Sequence, residues 1–301
     1  MKSGIVAIIG RANVGKSTLL NNLVGEKVAI VSAVPQTTRN QIRAILNEQR
    51  GQVVFLDTPG MHVTKHALDR AMIASINDSL EGVDVILHLV DATERVGEEE
   101  EMVMERLRGL KAPIILGLNK IDRGPKHIED YILAWERKIG KKLSEATQHI
   151  MPIPLSALTG TNLDKLLDEI FSRLPQGEPL YPEDILTDFP RQLTIQDCIR
   201  EKLLAYLKEE VPFSMAVFAE EIVERSPKLT YVKASILVER DSQKAIVIGT
   251  NGEHLKKAGE LARKELENIY NKKFYLDLWV KVKENWKQDA ELLRRIGYIL
   301  E

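Results

Sequence analysis

Residues 5–17 read Ile5-Val6-Ala7-Ile8-Ile9-Gly10-Arg11-Ala12-Asn13-Val14-Gly15-Lys16-Ser17. The first five are a continuous, mostly β-branched apolar run, the pattern of a strand buried on both faces. The eight that follow fit G-x-x-x-x-G-K-[ST], and an apolar-periodic helix is expected directly after them. Strand, glycine-rich turn and helix in that order make a phosphate cradle, because loop N–H groups and the helix N-terminus both point at an anion. In such a cradle Lys16 reaches the β- and γ-phosphates and the Ser17 hydroxyl ligates Mg²⁺. Gly10, Arg11, Ala12, Asn13, Val14, Gly15, Lys16, Ser17 and Thr18 are the candidate phosphate-binding residues.

Working outward, similar apolar runs recur at residues 53–56, 83–90 and 113–118, separated by helical patterns as far as about residue 174. Strand–helix alternation with continuous apolar strands predicts an α/β domain over 1–174, its mostly parallel sheet covered by helices on both faces. Prolines at 175, 179, 182 and 190 mark a linker over 175–192. Residues 193–301 change character. A helix is expected over 194–209, strands near 214–224 and 230–239, a Gly249-Thr250-Asn251-Gly252 turn, a helix over 253–270 and a strand near 274–283. Residues 243–248 fit a short strand or a short buried helix equally well. The order describes a small α+β domain.

The base that accompanies the phosphates is read from Asn119-Lys120-Ile121-Asp122, which follows the apolar run 113–118 at the C-terminal edge of a strand. Ligands of open α/β sheets bind at that edge. The Asp122 carboxylate can accept from both the N1–H and the 2-amino group of guanine, whereas adenine would leave a buried carboxylate unpaired. Ser156-Ala157, after another apolar stretch, can support the base through a backbone N–H. Asp57-Thr58-Pro59-Gly60 closes the strand at 53–56: Asp57 would hold Mg²⁺, through water, and the Gly60 N–H would sense the γ-phosphate. Between the phosphate loop and that strand, Gln36-Thr37-Thr38-Arg39-Asn40 offers a threonine to complete the metal shell, and a segment held only by γ-phosphate and metal is a switch.

These residues resemble the translation-factor-like branch of small GTPases, and the whole chain resembles the bacterial Era family, with all five guanine-nucleotide motifs of a Ras-type domain. The resemblance implies an α/β P-loop GTPase domain followed by a small α+β KH domain. Within that branch Thr38 looks like the metal-ligating threonine, with Thr37 as the alternative; the implied metal ligands are Ser17, Thr38 and Asp57. Catalytic roles then fall on Lys16, Thr38, Gly60 and Asn13. Met61 stands where Ras-like enzymes place a water-orienting glutamine, and a thioether cannot orient water, so low intrinsic turnover is expected. In related GTPases an asparagine at the position of Asn13 helps to bind a K⁺ ion, which implies K⁺-stimulated hydrolysis here; the plain alternative is a loop-forming asparagine.

The C-terminal half carries the second part of the resemblance. Gly249-Thr250-Asn251-Gly252, after Ile246-Val247-Ile248 and before an amphipathic helix, looks like the signature of a KH domain, which clamps single-stranded nucleotides against the loop backbone. The likeness extends over Ile199-Arg200-Glu201-Lys202, Val211-Pro212-Phe213-Ser214, Trp286 and Gly297-Tyr298. No basic residue lies between the two glycines, so phosphate contacts must lean on backbone N–H groups and on Lys244, Lys256, Lys257, Arg263 and Lys264, with Ile248 beside them.

Composition sets the outer limits. The 301 residues include one cysteine, Cys198, which rules out an internal disulfide and a multi-cysteine zinc site. With 42 basic and 44 acidic residues the net charge is −2, which argues against a nucleic-acid binder until the charge is resolved along the chain. Residues 1–175 hold 22 basic and 22 acidic side chains, 176–227 hold 5 and 11, and 228–295 hold 15 and 10. The basic excess coincides with the KH-like segment, as an electrostatic footprint for phosphate should. The resemblance then implies a GTP-hydrolysing switch that uses GTP/GDP and Mg²⁺ and binds 16S ribosomal RNA near its 3′ end during 30S subunit assembly. It further implies a monomer with no DNA partner, cytoplasmic and in part peripheral to the membrane. A constitutive RNA-binding scaffold with a structural nucleotide is the alternative, and a small-molecule P-loop kinase is disfavoured by Asp122.

Some residues are read as structural. Cys198 is expected as a buried small hydrophobe and His88 as a satisfied core histidine. The acidic run at 98–101 is explained by the dipole of the helix it begins. Trp135, Trp279 and Trp286 are expected to pack in a core or a domain interface.

Overall fold

The computed structural model describes residues 1–32, 34, 37, 39–58, 60 and 80–298. Thr38, Pro59, Met61 and Gln36, each assigned a place in the expectations above, lie outside the described residues. The chain divides into two units. The first includes Met1–Ala29 and runs on to Asp188, and the second includes Ile30–Thr37 and Phe189–Glu301.

The first unit is built on a six-stranded sheet. Its strands are β1 (Lys2–Ile9), β2 (Ile42–Glu48), β3 (Gly51–Asp57), β4 (Val85–Asp91), β5 (Ile114–Asn119) and β6 (Ile150–Pro154), in the spatial order β2-β3-β1-β4-β5-β6. All neighbours are parallel except β2, which joins β3 as an antiparallel edge hairpin. Every residue of β3, β4 and β5 is buried, as continuous apolar runs demand of strands covered on both faces. The covering helices are α1 (Lys16–Val24), α2 (Glu98–Leu107), α3 (Ile128–Ile139) and α4 (Leu163–Arg173). Parallel pairing brings the C-terminal ends of β1, β3, β4 and β5 to one edge, and with them Gly10, Asp57, Asp91 and Asn119.

The proline-rich stretch is ordered along this sheet as far as Asp188. Gln52, wholly buried, accepts from the N–H groups of Leu180 (2.7 Å) and Tyr181 (2.9 Å) and donates to the Tyr181 carbonyl (2.8 Å). The Ile45 N–H donates to the Leu186 carbonyl, and Tyr181 and Ile185 pack on Ile45, Val54 and Leu56. Proline density signalled a break in helix and strand, but β2 is an edge strand with a free ladder, and the stretch satisfies it.

The second unit contains α5 (Arg191–Leu204), β7 (Ala216–Ser226), β8 (Leu229–Val238), α6 (Asp241–Ile248), α7 (Glu253–Tyr270), β9 (Lys273–Val282) and α8 (Ala290–Arg295). Its sheet runs β7-β8-β9, antiparallel then parallel, and α6 with α7 forms the crossover between the parallel pair. One core joins Ile199 and Leu203 of α5, Val232 and Ile236 of β8, Val247 of α6 and Ala262 and Leu266 of α7. Val34 packs against the same core. The ambiguous stretch 243–248 is helical, because the buried Gln243 carboxamide accepts from the N–H groups of Glu239 and Arg240 and closes the helix start.

Cys198 is buried with its thiol on the Ala262 carbonyl, and Trp135 and Trp286 are both fully buried. Trp279 departs from the expectation: it is 55 % exposed, its indole N–H on Asp277. It lies on the outer face of β9, whose alternate residues Phe274 and Val280 take the core positions.

Candidate nucleotide site

The phosphate loop leaves β1 at Gly10 and enters α1 at Lys16. Asn13 and Gly15 both adopt left-handed backbone, with φ of 62° and 103°. At Gly15 a Cβ would also sit 2.5 Å from the Asn119 side chain, so glycine is required there by conformation and by space. The Lys16 ammonium donates to the carbonyls of Gly10 (2.9 Å) and Arg11 (2.8 Å), and burial pushes it down to about 8 against the pull of Asp57 and Glu100. A lysine held inside the loop in this way presents its charge to bound phosphate with little conformational freedom left to lose.

Ser17 donates to Asp57 Oδ2 at 2.7 Å. Asp57 is buried and its carboxyl is pushed up to about 6 by that burial, against Lys16 and the Ser17 hydroxyl. Its Oδ1 is also buried and finds no hydrogen-bond partner among the described residues. A buried carboxylate oxygen without a partner, beside a hydroxyl oxygen, is the donor set of a hard divalent cation that keeps water and phosphate as its other ligands. These residues therefore fit Mg²⁺. The strand end is clamped as well: Thr58 donates to the Ile8 carbonyl at 2.9 Å, and a Cβ on Gly60 would lie 2.8 Å from the backbone of Ala12.

The base-binding residues lock onto the phosphate loop. The Asn119 carboxamide donates to the Val14 carbonyl (2.7 Å) and accepts from the Ala157 N–H (2.8 Å). Lys120, in left-handed backbone, donates to the Asn13 carbonyl at 2.8 Å and to Asp91. Asp91 stays below the usual carboxylate range despite its burial, because Lys120 and Thr93 hydrogen-bond its charged form. Ser156 donates to Asp122 Oδ1, which orients the carboxylate. Sequence reasoning placed every one of these residues except Asp91 and its neighbour Thr93; Asp91 is an ordinary strand-end aspartate until β4 and β5 bring it to Lys120.

Two of the expected residues carry side chains elsewhere. The Arg11 guanidinium turns onto Glu94 and Glu100, so Arg11 contributes its backbone to the loop. Thr37 belongs to the second unit: its hydroxyl donates to the Val34 carbonyl and its own carbonyl accepts from the buried Arg200, which also pairs with Asp197 at 2.9 Å.

In the second unit the Gly249–Gly252 turn caps α7. Gly249 (φ 76°), Asn251 (φ 52°) and Gly252 (φ 79°) are all left-handed, and a Cβ on Gly249 would meet the His254 ring at 2.6 Å. His254 stacks on Tyr206 and reaches the Ile246 carbonyl at 2.9 Å. Beside the turn, a cleft of about 450 Å³ between α7 and β9 is lined by Gly252, Lys256, Gly259, Arg263, Tyr275 and Leu278. Of the five expected basic residues, Lys256 and Arg263 line this cleft. Lys257 pairs with Glu253 one turn earlier on the helix, Lys244 and Lys264 are surface side chains outside the cleft lining, and Ile248 packs on the core. Tyr275, absent from the expectations, is 58 % exposed in the cleft wall. Its position on β9 opposite α7 is visible only after folding.

A phosphate loop, the Asn119–Asp122 strand end locked onto it and a metal-ready Asp57 on one mostly parallel sheet, followed by a glycine-turn α+β module, define a P-loop GTPase joined to a KH domain. Residues 5–120 match the family model described as "50S ribosome-binding GTPase", and residues 211–287 match the KH domain. GTPase Era of Halothermothrix orenii is 46 % identical over 297 residues, covering 99 % of this chain and 98 % of that protein, and GTPase Era of Carboxydothermus hydrogenoformans is 47 % identical with the same coverage. The chain belongs to the Era family of GTPases. Two solved structures match it over 100 % of both chains: Era in complex with MgGDPNP and nucleotides 1506–1542 of 16S ribosomal RNA (TM-score 0.90, 41 % identity), and a variant of Aquifex aeolicus Era bound to GDP·AlF4⁻ (TM-score 0.91, 40 % identity).

Proposed function

We propose that this chain is a GTP-hydrolysing switch that binds the 3′ region of 16S ribosomal RNA through its KH domain and acts in assembly of the 30S subunit. The observation that carries the reading is the fit of both functional centres on one chain to the Era structure that holds MgGDPNP and 16S RNA. Ser17 and Asp57 would hold Mg²⁺, which supplies charge neutralisation at the phosphates. Lys16, fixed on the carbonyls of Gly10 and Arg11, stabilises charge on the β- and γ-phosphates. Asp122, held by Ser156, selects guanine. Asn13 supports a K⁺ ion in the same reading, and its test is the dependence of hydrolysis on K⁺ against Na⁺.

RNA enters the cleft beside the Gly249–Gly252 turn, where backbone N–H groups, Lys256 and Arg263 meet phosphate and Tyr275 offers a stacking face. The protein acts as a monomer in the cytoplasm, where its ribosomal partner is assembled, with a peripheral fraction at the membrane; sizing and cell fractionation test these points. The central experiment is binding of the full chain to isolated small subunits with a GTP analogue and with GDP. Affinity that differs between the two supports a switch, and identical affinity overturns it in favour of a constitutive RNA-binding scaffold.

A further inference from the structure

A chain of buried polar side chains runs from the phosphate loop into the core of the first unit. Arg11 Nε donates to Glu100 Oε2 at 2.9 Å, and the other end of its guanidinium meets Glu94. Glu100 Oε1 lies 3.0 Å from His88 Nε2, and the Trp135 indole N–H donates to His88 Nδ1 at 3.2 Å. Glu100, His88 and Trp135 are wholly buried.

The chemistry fixes every proton in this chain. An indole N–H is a donor only, so His88 Nδ1 is the acceptor and its ring proton sits on Nε2, pointing at Glu100. Glu100 therefore receives one hydrogen bond on each oxygen, and it stands in the first turn of α2, where the helix dipole favours a carboxylate. The dipole explains the exposed Glu98 equally well, but it does not explain why Glu100 alone of that turn is wholly buried beneath the loop. Burial of a carboxylate is costly unless it is paired, and both partners are supplied here.

We propose that Glu100 is a positioning residue for nucleotide binding. It holds Arg11, and so fixes the two loop carbonyls, of Gly10 and Arg11, on which the Lys16 ammonium rests. His88 and Trp135 set the orientation of Glu100 from behind. An amide in its place would turn an NH₂ group toward either the Arg11 N–H or the His88 N–H, so Glu100→Gln disrupts the chain with almost no change in volume.

The test uses the full chain, with fluorescent GDP and a fluorescent GTP analogue, melting curves to verify folding, and single-turnover hydrolysis. Glu100→Gln is expected to raise both dissociation constants about tenfold, the weight of one charge-assisted hydrogen bond. Hydrolysis at saturating GTP should stay within about threefold, and Glu98→Gln should change affinity less than about twofold. In an Arg11→Ala background, Glu100→Gln should add less than about twofold, because the two act as one unit. A full tenfold effect persisting without Arg11, unchanged affinity in a folded Glu100→Gln protein, or a loss confined to hydrolysis would each overturn the proposal. Should Glu100→Gln fail to fold, Arg11→Lys keeps a cation near Glu100 without the fork that also reaches Glu94, and is expected to lose clearly less affinity than Arg11→Ala, which loses about tenfold. Equal affinities for those two variants would overturn it equally.

Discussion

At the scale of single residues, the nucleotide site rests on groups whose charge is set by burial. Asp57 is the clearest case. Its carboxyl stands near 3.8 in an open chain and is pushed up to about 6 by burial, against Lys16 and Ser17. Between those values the folded protein keeps a proton that the unfolded chain has lost, so this group's contribution to stability is present at low pH and is lost as pH rises through that window. In nucleotide-free protein with chelator, the melting temperature of Asp57→Asn relative to wild type should therefore rise by roughly 3–6 °C between pH 4.5 and 7. A flat difference across that range would contradict the assigned environment. Asp122→Asn belongs to the same scale. It replaces one acceptor by a donor facing the guanine N1–H and 2-amino group, and GTP affinity should fall about 100-fold. A xanthine nucleotide, with a carbonyl at position 2, should recover part of that loss in competition binding. Asp57 and Asp122 were legible in the sequence because each is fixed to a strand end by neighbouring residues in the chain. Glu100 was not, since in sequence it is one of four consecutive glutamates and only burial distinguishes it.

At the scale of elements, two connections matter more than their composition suggests. The Gly249–Gly252 turn holds three left-handed residues among its four and abuts His254. Gly249→Ala should displace the start of α7 and weaken single-stranded RNA binding at least about tenfold while leaving GTP hydrolysis by the isolated protein unchanged. Filter binding and phosphate release, measured on one preparation, separate the two effects. The ordered strap along β2 is the second case. Gln52→Ala removes three hydrogen bonds to it and leaves backbone groups of Leu180 and Tyr181 unpaired beneath the strap, at a cost of about 2–4 kcal/mol. Chemical denaturation should show that loss, with strap residues first to exchange their amide protons. Four prolines read locally as a break, and they do end the regular elements. What their spacing could not reveal is that the edge of the sheet offers unpaired backbone groups to whatever segment follows.

At the scale of the whole molecule, net charge was the least informative number, because a neutral nucleotide-binding segment, an acidic connector and a basic RNA-binding segment average to −2. Lys256 and Arg263 are the two expected cations that line the KH cleft. Their joint neutralisation to glutamine should reduce the slope of log affinity against log salt by about 1.4, at roughly 0.7 per single-strand phosphate contact. Neutralising Lys257 and Lys264 instead should leave the slope nearly unchanged, since neither lines the cleft.

By itself the sequence located the phosphate loop, the candidate base-reading aspartate, the candidate metal pair, the glycine turn and, apart from residues 243–248, the order of elements. Each of these is a contiguous run whose chemistry depends on neighbours within a few residues. Only the tertiary structure decided which acidic side chain grips Arg11, which of the expected basic residues line the KH cleft, that Tyr275 and Trp279 stand outside the core, and that the proline-rich stretch lies along the sheet. Those outcomes depend on burial and on pairing between elements. Arg11 meets a carboxylate 89 residues away and Gln52 meets backbone 129 residues away, at distances where no local pattern distinguishes one glutamate, lysine or glutamine from another.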